Sequence, residues 1–154
     1  MITTECFCNS NNWPRRLGKI KKINKKIILF TKVYFDKNYN YFLNLIFTND
    51  KELKKLNFKY KRQKTSTDVL TFVIENNNKK FKNKLCDIFF SSETIIKDAK
   101  KNNVDFYEHY THLLIHSFLH INGYNHKTLS DFKKMQKIEV KILDIMGIKN
   151  PYLN

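Results

Sequence analysis

The spacing of hydrophobic positions changes several times along the chain, and each change marks an element. From Arg15 to about Phe35, the apolar residues Leu17, Ile20, Ile23, Ile27, Ile28 and Val33 recur at helical intervals among lysines. That periodicity predicts a helix with a β-branched end. Residues 1–12 carry no such pattern and are assigned at most a short edge strand. Asn40 to Thr48 alternates as a strand does, and Asn49-Asp50 then caps a short helix through about Leu56. Thr67 to Ile74 is β-branched and aromatic and predicts a strand. The polar run Glu75 to Lys84 reads as a hairpin or longer loop, and Leu85 to Phe90 as a second strand antiparallel to the first. Ser91-Ser92-Glu93 opens a helix ending near Asn103. Asp105 caps another that runs to Asn122, and Thr128 or Ser130 caps a last one to about Met146, closed by Gly147 with Pro151 beyond. Strands and helices come in blocks rather than in strict alternation. The expected fold is a single α+β domain over residues 1–154, a small mixed β-sheet packed by helices.

The helix from Asp105 to Asn122 carries the chemistry. All five histidines of the chain fall between His109 and His126, and the run 112–126 reads HLLIHSFLHINGYNH. His116 and His120 stand at i and i+4, so both imidazoles leave the same helix face. Asn122-Gly123 stops the helix, because glycine tolerates the left-handed conformation found there, and the chain can turn to bring back His126. Three neutral imidazoles with one position open are how catalytic rather than structural zinc sites are built. His116, His120 and His126 are therefore the expected zinc ligands. His112, one turn earlier on the same face, can support them from behind. The spacing is shared with metzincin peptidases, whose second position is a glutamate that acts as general base. Here that position is Ser117, which lacks the proton affinity for the task, so a peptidase is only a runner-up.

Charge points to an anionic partner. The formal net charge is +15, which suits nucleic acid. Lysine provides 26 of the 29 basic residues and Ala99 is the only alanine, a slant that an AT-rich bacterial genome would produce. Cys6, Cys8 and Cys86 form no disulfide framework and suit a reducing compartment. Cys6 and Cys8 are expected to be small buried hydrophobes on one face of a strand. The longest apolar runs, such as Ile27-Ile28-Leu29-Phe30, are too short to span a membrane, and a cytoplasmic protein is expected.

With these pieces placed, the chain resembles the YbeY family of metal-dependent endoribonucleases from about Trp13 to Tyr152. His116 to His126 is similar to the family's His-Gly-x-Leu-His-Leu-x-Gly-Tyr-Asp-His, and Thr67 to Phe72 to its Thr-Asp-Val-Leu-Ser-Phe strand. Cys86 to Ser91 is similar to its Gly-Asp-Ile-x-Ile-Ser strand, and the tail from Ile142 to Tyr152 fits as well. The departures are Ser117 and Cys86 for glycines and Asn125 for an aspartate. The family also carries a catalytic arginine six residues before the threonine. Strict register puts Lys61 there, with Arg62 adjacent, so either is the candidate contact to phosphate.

The resemblance implies one Zn2+ per chain and cleavage of single-stranded RNA. It also implies a role in maturing the 3′ end of small-subunit rRNA and in ribosome quality control. Ribosomal proteins and an assembly GTPase would be partners, and no membrane. Asp68 and Asp87 are general-base candidates by residue type, and Tyr124 and Phe72 are the aromatic candidates for base stacking. A ribosome assembly factor with a structural metal and no catalysis is the alternative.

Overall fold

The computed structural model describes residues 1–61, 68–78 and 80–153, with backbone alone at Lys61. Four strands form one mixed sheet: β1 (Ile2–Cys8), β2 (Tyr39–Thr48), β3 (Val69–Asn77) and β4 (Lys82–Ser91), in the order β1-β2-β4-β3. β1 and β4 lie parallel to β2, and β3 runs antiparallel to β4. Parallel neighbours need a crossover, and α1 (Leu17–Thr31) supplies it between β1 and β2. α2 (Asp50–Lys61) lies between β2 and β3, and α3 (Ser92–Lys101), α4 (Phe106–Ile121) and α5 (Leu129–Ile145) follow the sheet. The α+β expectation with a mixed sheet is met. No helix among the described residues is long and apolar enough to cross a membrane.

Strand alternation decides what each face of the sheet packs against. Tyr41, Leu43, Leu45 and Phe47 of β2 and Cys86, Ile88 and Phe90 of β4 are all buried on one face. They join Ile20 and Ile27 of α1 and Tyr110, Leu114 and Phe118 of α4 in a single core cluster. On the opposite face, Leu70 of β3 and Leu53 of α2 are buried. There the Phe72 ring stands 5.1 Å from Tyr60 and 5.9 Å from Phe89. The histidine helix therefore lies across one face of the sheet and α2 across the other.

Two buried polar anchors tie the main core together. Trp13 is fully buried 4.8 Å from Phe47, and its indole N–H donates to the Thr48 carbonyl at 2.7 Å. The Tyr110 hydroxyl donates to Asn24 Oδ1 at 2.7 Å, joining α4 to α1. Asn24 is 4% exposed in the middle of α1, a polar residue among the core-facing positions.

Element positions match the sequence reading, with three instructive differences. α2 runs to Lys61 rather than Leu56, because the Tyr60 and Phe72 rings extend its packing against β3. The run Glu75 to Lys84 is mostly strand, since β3 continues to Asn77 and pairs with β4 down to Lys82. A ladder needs only backbone groups, and Glu75 faces Lys84 across it in a 2.9 Å ion pair. Cys6 and Cys8 are exposed rather than buried, because β1 is an edge strand with little covering it.

Replacing Tyr110 by Phe leaves the buried Asn24 carbonyl oxygen without this donor. A stability loss of about 1–3 kcal/mol is expected. It would be read as a lower urea midpoint at unchanged m-value. An unchanged midpoint would show that this bond does not hold α4 on α1.

Candidate metal centre

The ends of α4 determine where its side chains point. Asp105 caps the N-terminus, its carboxylate accepting from Tyr107 N–H at 2.8 Å. At the other end Gly123 N–H donates to the His120 carbonyl at 3.0 Å, and Tyr124 N–H to the Leu119 carbonyl at 3.1 Å. This paired arrangement ends a helix when the residue after the cap is left-handed, and Gly123 has φ +88°. The chain then doubles back and places His126 beside the helix face that carries His116 and His120.

Ligand atoms of His116, His120 and His126 all lie within 4.8 Å of one another. The ring of His126 stands 5.5 Å from that of His116 and 5.0 Å from that of His120. Second partners settle which nitrogens carry protons. His116 Nδ1 faces the Glu139 carboxylate at 2.5 Å, and His120 Nδ1 faces the Tyr124 carbonyl at 3.0 Å. Both partners only accept, so both Nδ1 atoms donate, and each neutral ring keeps its lone pair on Nε2. Those two Nε2 atoms face each other at 2.8 Å. Two converging lone pairs repel, and a cation between them removes the repulsion. Burial, with His116 and His126 nearby, lowers the His120 pKa to about 4, so this ring is neutral at physiological pH. The donor set fits a metal ion.

Glu139 of α5 was not singled out by its sequence context, although the signal was present: a carboxylate in the buried stripe with Met135, Ile142 and Leu143. It is 1% exposed. Besides His116, it accepts from His112 Nε2 at 3.0 Å and from the Tyr152 hydroxyl. Burial alone raises its carboxyl pKa, but the hydrogen bonds from His112, His116 and Tyr152 outweigh this and hold it at about 2. Burial and the Glu139 charge push the Tyr152 hydroxyl well up, keeping it a neutral donor. A carboxylate behind a ligating imidazole fixes its tautomer and raises its basicity. Glu139 does this for His116, while His112 and Tyr152 satisfy its second oxygen.

The triad opens into a cleft of about 670 Å³ between α4 and β3, whose lining includes Asp68, Val69, Thr71, Val73, His109 and His112. Of the two carboxylates considered as general base, Asp68 lines this cleft, 3.3 Å from His109 Nε2. Asp87 does not. It sits opposite Phe72 in the ladder, on the α2 face of the sheet, and accepts from Asn44 at 2.8 Å. Phe72 is likewise on that far face, which removes it as a base-stacking platform at the triad. Tyr124 packs edge-on against Tyr34 beside the core. Ser117 is buried and donates to the Leu113 carbonyl at 2.9 Å, so nothing acts as a peptidase base from that position. Lys61 ends α2, and its side chain and Arg62 lie outside the described residues.

Glu139→Gln should weaken metal retention by about 10- to 100-fold, measured by competition with a coloured chelator. Retention equal to wild type would show that Glu139 does not orient His116. Gly123→Ala meets no steric neighbour, so its cost is the positive φ alone, about 1–2 kcal/mol. The melting temperature should drop, and metal affinity with it, because the strained turn delivers His126. A lower melting temperature at full affinity would separate the turn from the triad.

The geometry agrees with what the chain is similar to. The sequence model of the family described as Endoribonuclease YbeY matches residues 8–147. A protein of that description from Ehrlichia chaffeensis is 35% identical over 142 residues, 92% of this chain and 91% of its own length. One from Bartonella henselae is 31% identical, covering 99% and 98%, and one from Buchnera aphidicola is 38% identical over 66% of each chain. The solution structure of a Thermotoga maritima protein shares the fold at a TM-score of 0.59 and 20% identity, covering 96% of this chain and 92% of that one. A histidine triad at the family's spacing, on a fold of this kind, and matches over nearly the whole length lead to one conclusion: the chain belongs to the YbeY endoribonuclease family.

Proposed function

We propose that this protein is a zinc-dependent endoribonuclease that cuts single-stranded RNA. Its role would be to mature the 3′ end of small-subunit rRNA and to take part in ribosome quality control in the bacterial cytoplasm. The observation that carries the reading is the convergence of His116, His120 and His126 in an open cleft, with the His116 and His120 tautomers imposed by Glu139 and the Tyr124 carbonyl. Relatives named for endoribonuclease activity over nearly the same length support it. The open cleft beside the triad favours a catalytic over a purely structural ion.

The roles divide among the chain's own residues. His116, His120 and His126 would hold the zinc. A zinc ion held there supplies Lewis-acid polarisation of a phosphoryl oxygen. Glu139 keeps His116 presenting Nε2, and burial keeps His120 from being protonated at neutral pH. Lys61 or Arg62 would place a positive charge where the transition state accumulates negative charge. Surface lysines would hold the RNA backbone through counterion release, so binding should fall steeply with salt. Ribosomal proteins and an assembly GTPase are the partners that the family resemblance implies.

The deciding experiment measures zinc content and cleavage of a single-stranded RNA for wild type, His116→Ala, His126→Ala, Lys61→Ala and Arg62→Ala. One zinc per chain is expected, lost together with cleavage in the histidine variants. Whichever of Lys61 and Arg62 supplies the cation should, when replaced, reduce kcat by roughly 10²-fold or more with zinc retained. Zinc bound by a wild-type protein that leaves RNA intact would overturn catalysis in favour of an assembly factor. A protein that takes up no zinc would overturn the metal reading itself.

A further inference from the structure

α2 buries Leu53 and Asn57 against the rest of the fold and turns Lys51, Lys54, Lys55, Phe58, Lys59 and Tyr60 to solvent. Lys51, Lys54 and Lys55 precede Phe58 by seven, four and three residues, so all four share one side of the helix. Together they line a shallow depression whose walls are mainly apolar. The lysine stems and the ring therefore form it, with the ammonium groups at its rim. We propose that this outer face of α2 docks single-stranded RNA beyond the cleft, one base stacking on Phe58 while flanking phosphates meet Lys51, Lys54 and Lys55. The choice of RNA as occupant rests on the ribonuclease reading above.

Charge complementarity favours this occupant. Among the described residues, Lys51, Lys54 and Lys59 make no ion pair. Lys55 pairs with Glu52 at 3.4 Å, but their side chains are 64% and 44% exposed, and such a pair is worth little in water. Asp50, the other carboxylate of the helix, is turned inward onto the Ser91 and Thr94 hydroxyls. Four ammonium groups thus stand against one exposed carboxylate within about 12 Å of helix. Phe58 is 49% exposed and meets no other ring among the described residues. Tyr60, by contrast, is held by Phe72 and Lys59. An exposed ring edged by cations suits a strand, because any base can stack on it while the backbone is neutralised beside it.

Other occupants fit less well. A membrane surface also attracts basic helices, but this face offers one free large apolar side chain, too little area for interfacial burial. A second copy would bring a like-charged face against this one. α2 lies on the side of the sheet away from the histidine triad, so the surface is separate from the cleft. Its C-terminal end is Lys61, a candidate phosphate contact, so a strand engaged there can run on along the helix toward Lys51.

The test follows a fluorescently labelled single-stranded 2′-O-methyl oligouridine by anisotropy across a salt series, with the zinc-loaded full-length protein. Replacing Lys51, Lys54 and Lys55 together by Gln should flatten the slope of log K against log salt by about 2. Binding should then be about 100-fold weaker at 0.1 M salt, the difference closing toward 1 M. Phe58→Leu keeps an apolar side chain and should weaken binding about fivefold or more at every salt concentration. The triple Lys133→Gln, Lys137→Gln, Lys141→Gln on the exposed face of α5 removes the same charge and should cost clearly less. All these side chains are exposed, and melting curves confirm that each variant folds. In a His126→Ala background the α2 substitutions should cause the same losses, which separates this surface from the triad. Binding that depends on α2 without cleavage of unmodified RNA by wild type would overturn the ribonuclease reading and support this surface. Equal losses in the two lysine triples, wild-type binding by Phe58→Leu, or no binding by wild type would overturn the docking site. Phe58-dependent binding to phosphatidylglycerol vesicles, without Phe58 dependence for RNA, would overturn it in favour of a membrane.

Discussion

A carboxylate removed from water is costly unless its oxygens are satisfied, and Glu139 is satisfied where α5 meets the histidine face of α4. One oxygen accepts from His116 and the other from His112 and Tyr152, so two helices and the C-terminal tail meet on a single side chain. Breaking any one contact leaves a buried charge less well compensated. The docking of α5 is thereby coupled to the orientation of a metal-suited imidazole, and stability and site geometry share the same interaction.

The opposing demand comes from the imidazoles. His116 and His120 point Nε2 lone pairs at each other, an arrangement a metal-free protein would relieve by rotating a ring or by protonation. Hydrogen bonds behind each ring oppose rotation, and burial opposes protonation of His120. The site is preorganised by groups that never face the cleft. The Schellman-type turn at Gly123 completes it, since without a left-handed residue there the chain could not reverse soon enough to return His126.

The molecule's charge and the cleft's charge differ for a physical reason. Lysines concentrate on the solvated faces of α1, α2 and α5, where long basic side chains are readily hydrated. Among the described residues, the cleft is lined by groups packed around α4: histidines, Leu113 and Ser117 of that helix, Asp68, β3 side chains and Tyr152. Among the described residues, the positive charge therefore sits on the solvated helix faces and not in the lining of the cleft.

Much was determined by sequence alone. Periodicity located the strands and helices, because local packing faces repeat at 2 or 3.6 residues. The His116, His120, Gly123 and His126 spacing implied the triad, because all its geometry lies within one helix and one turn. Other features depended on partners distant in the chain. The role of Glu139 needs α5 to pack against α4, and the separation of Asp68 from Asp87 needs the sheet to present opposite faces to α4 and α2. The exposure of Cys6 and Cys8 needs β1 to be an edge, which only strand order reveals. Local spacing fixes directions within one element, whereas contacts between elements depend on which faces the whole core buries, and that is a property of the folded chain.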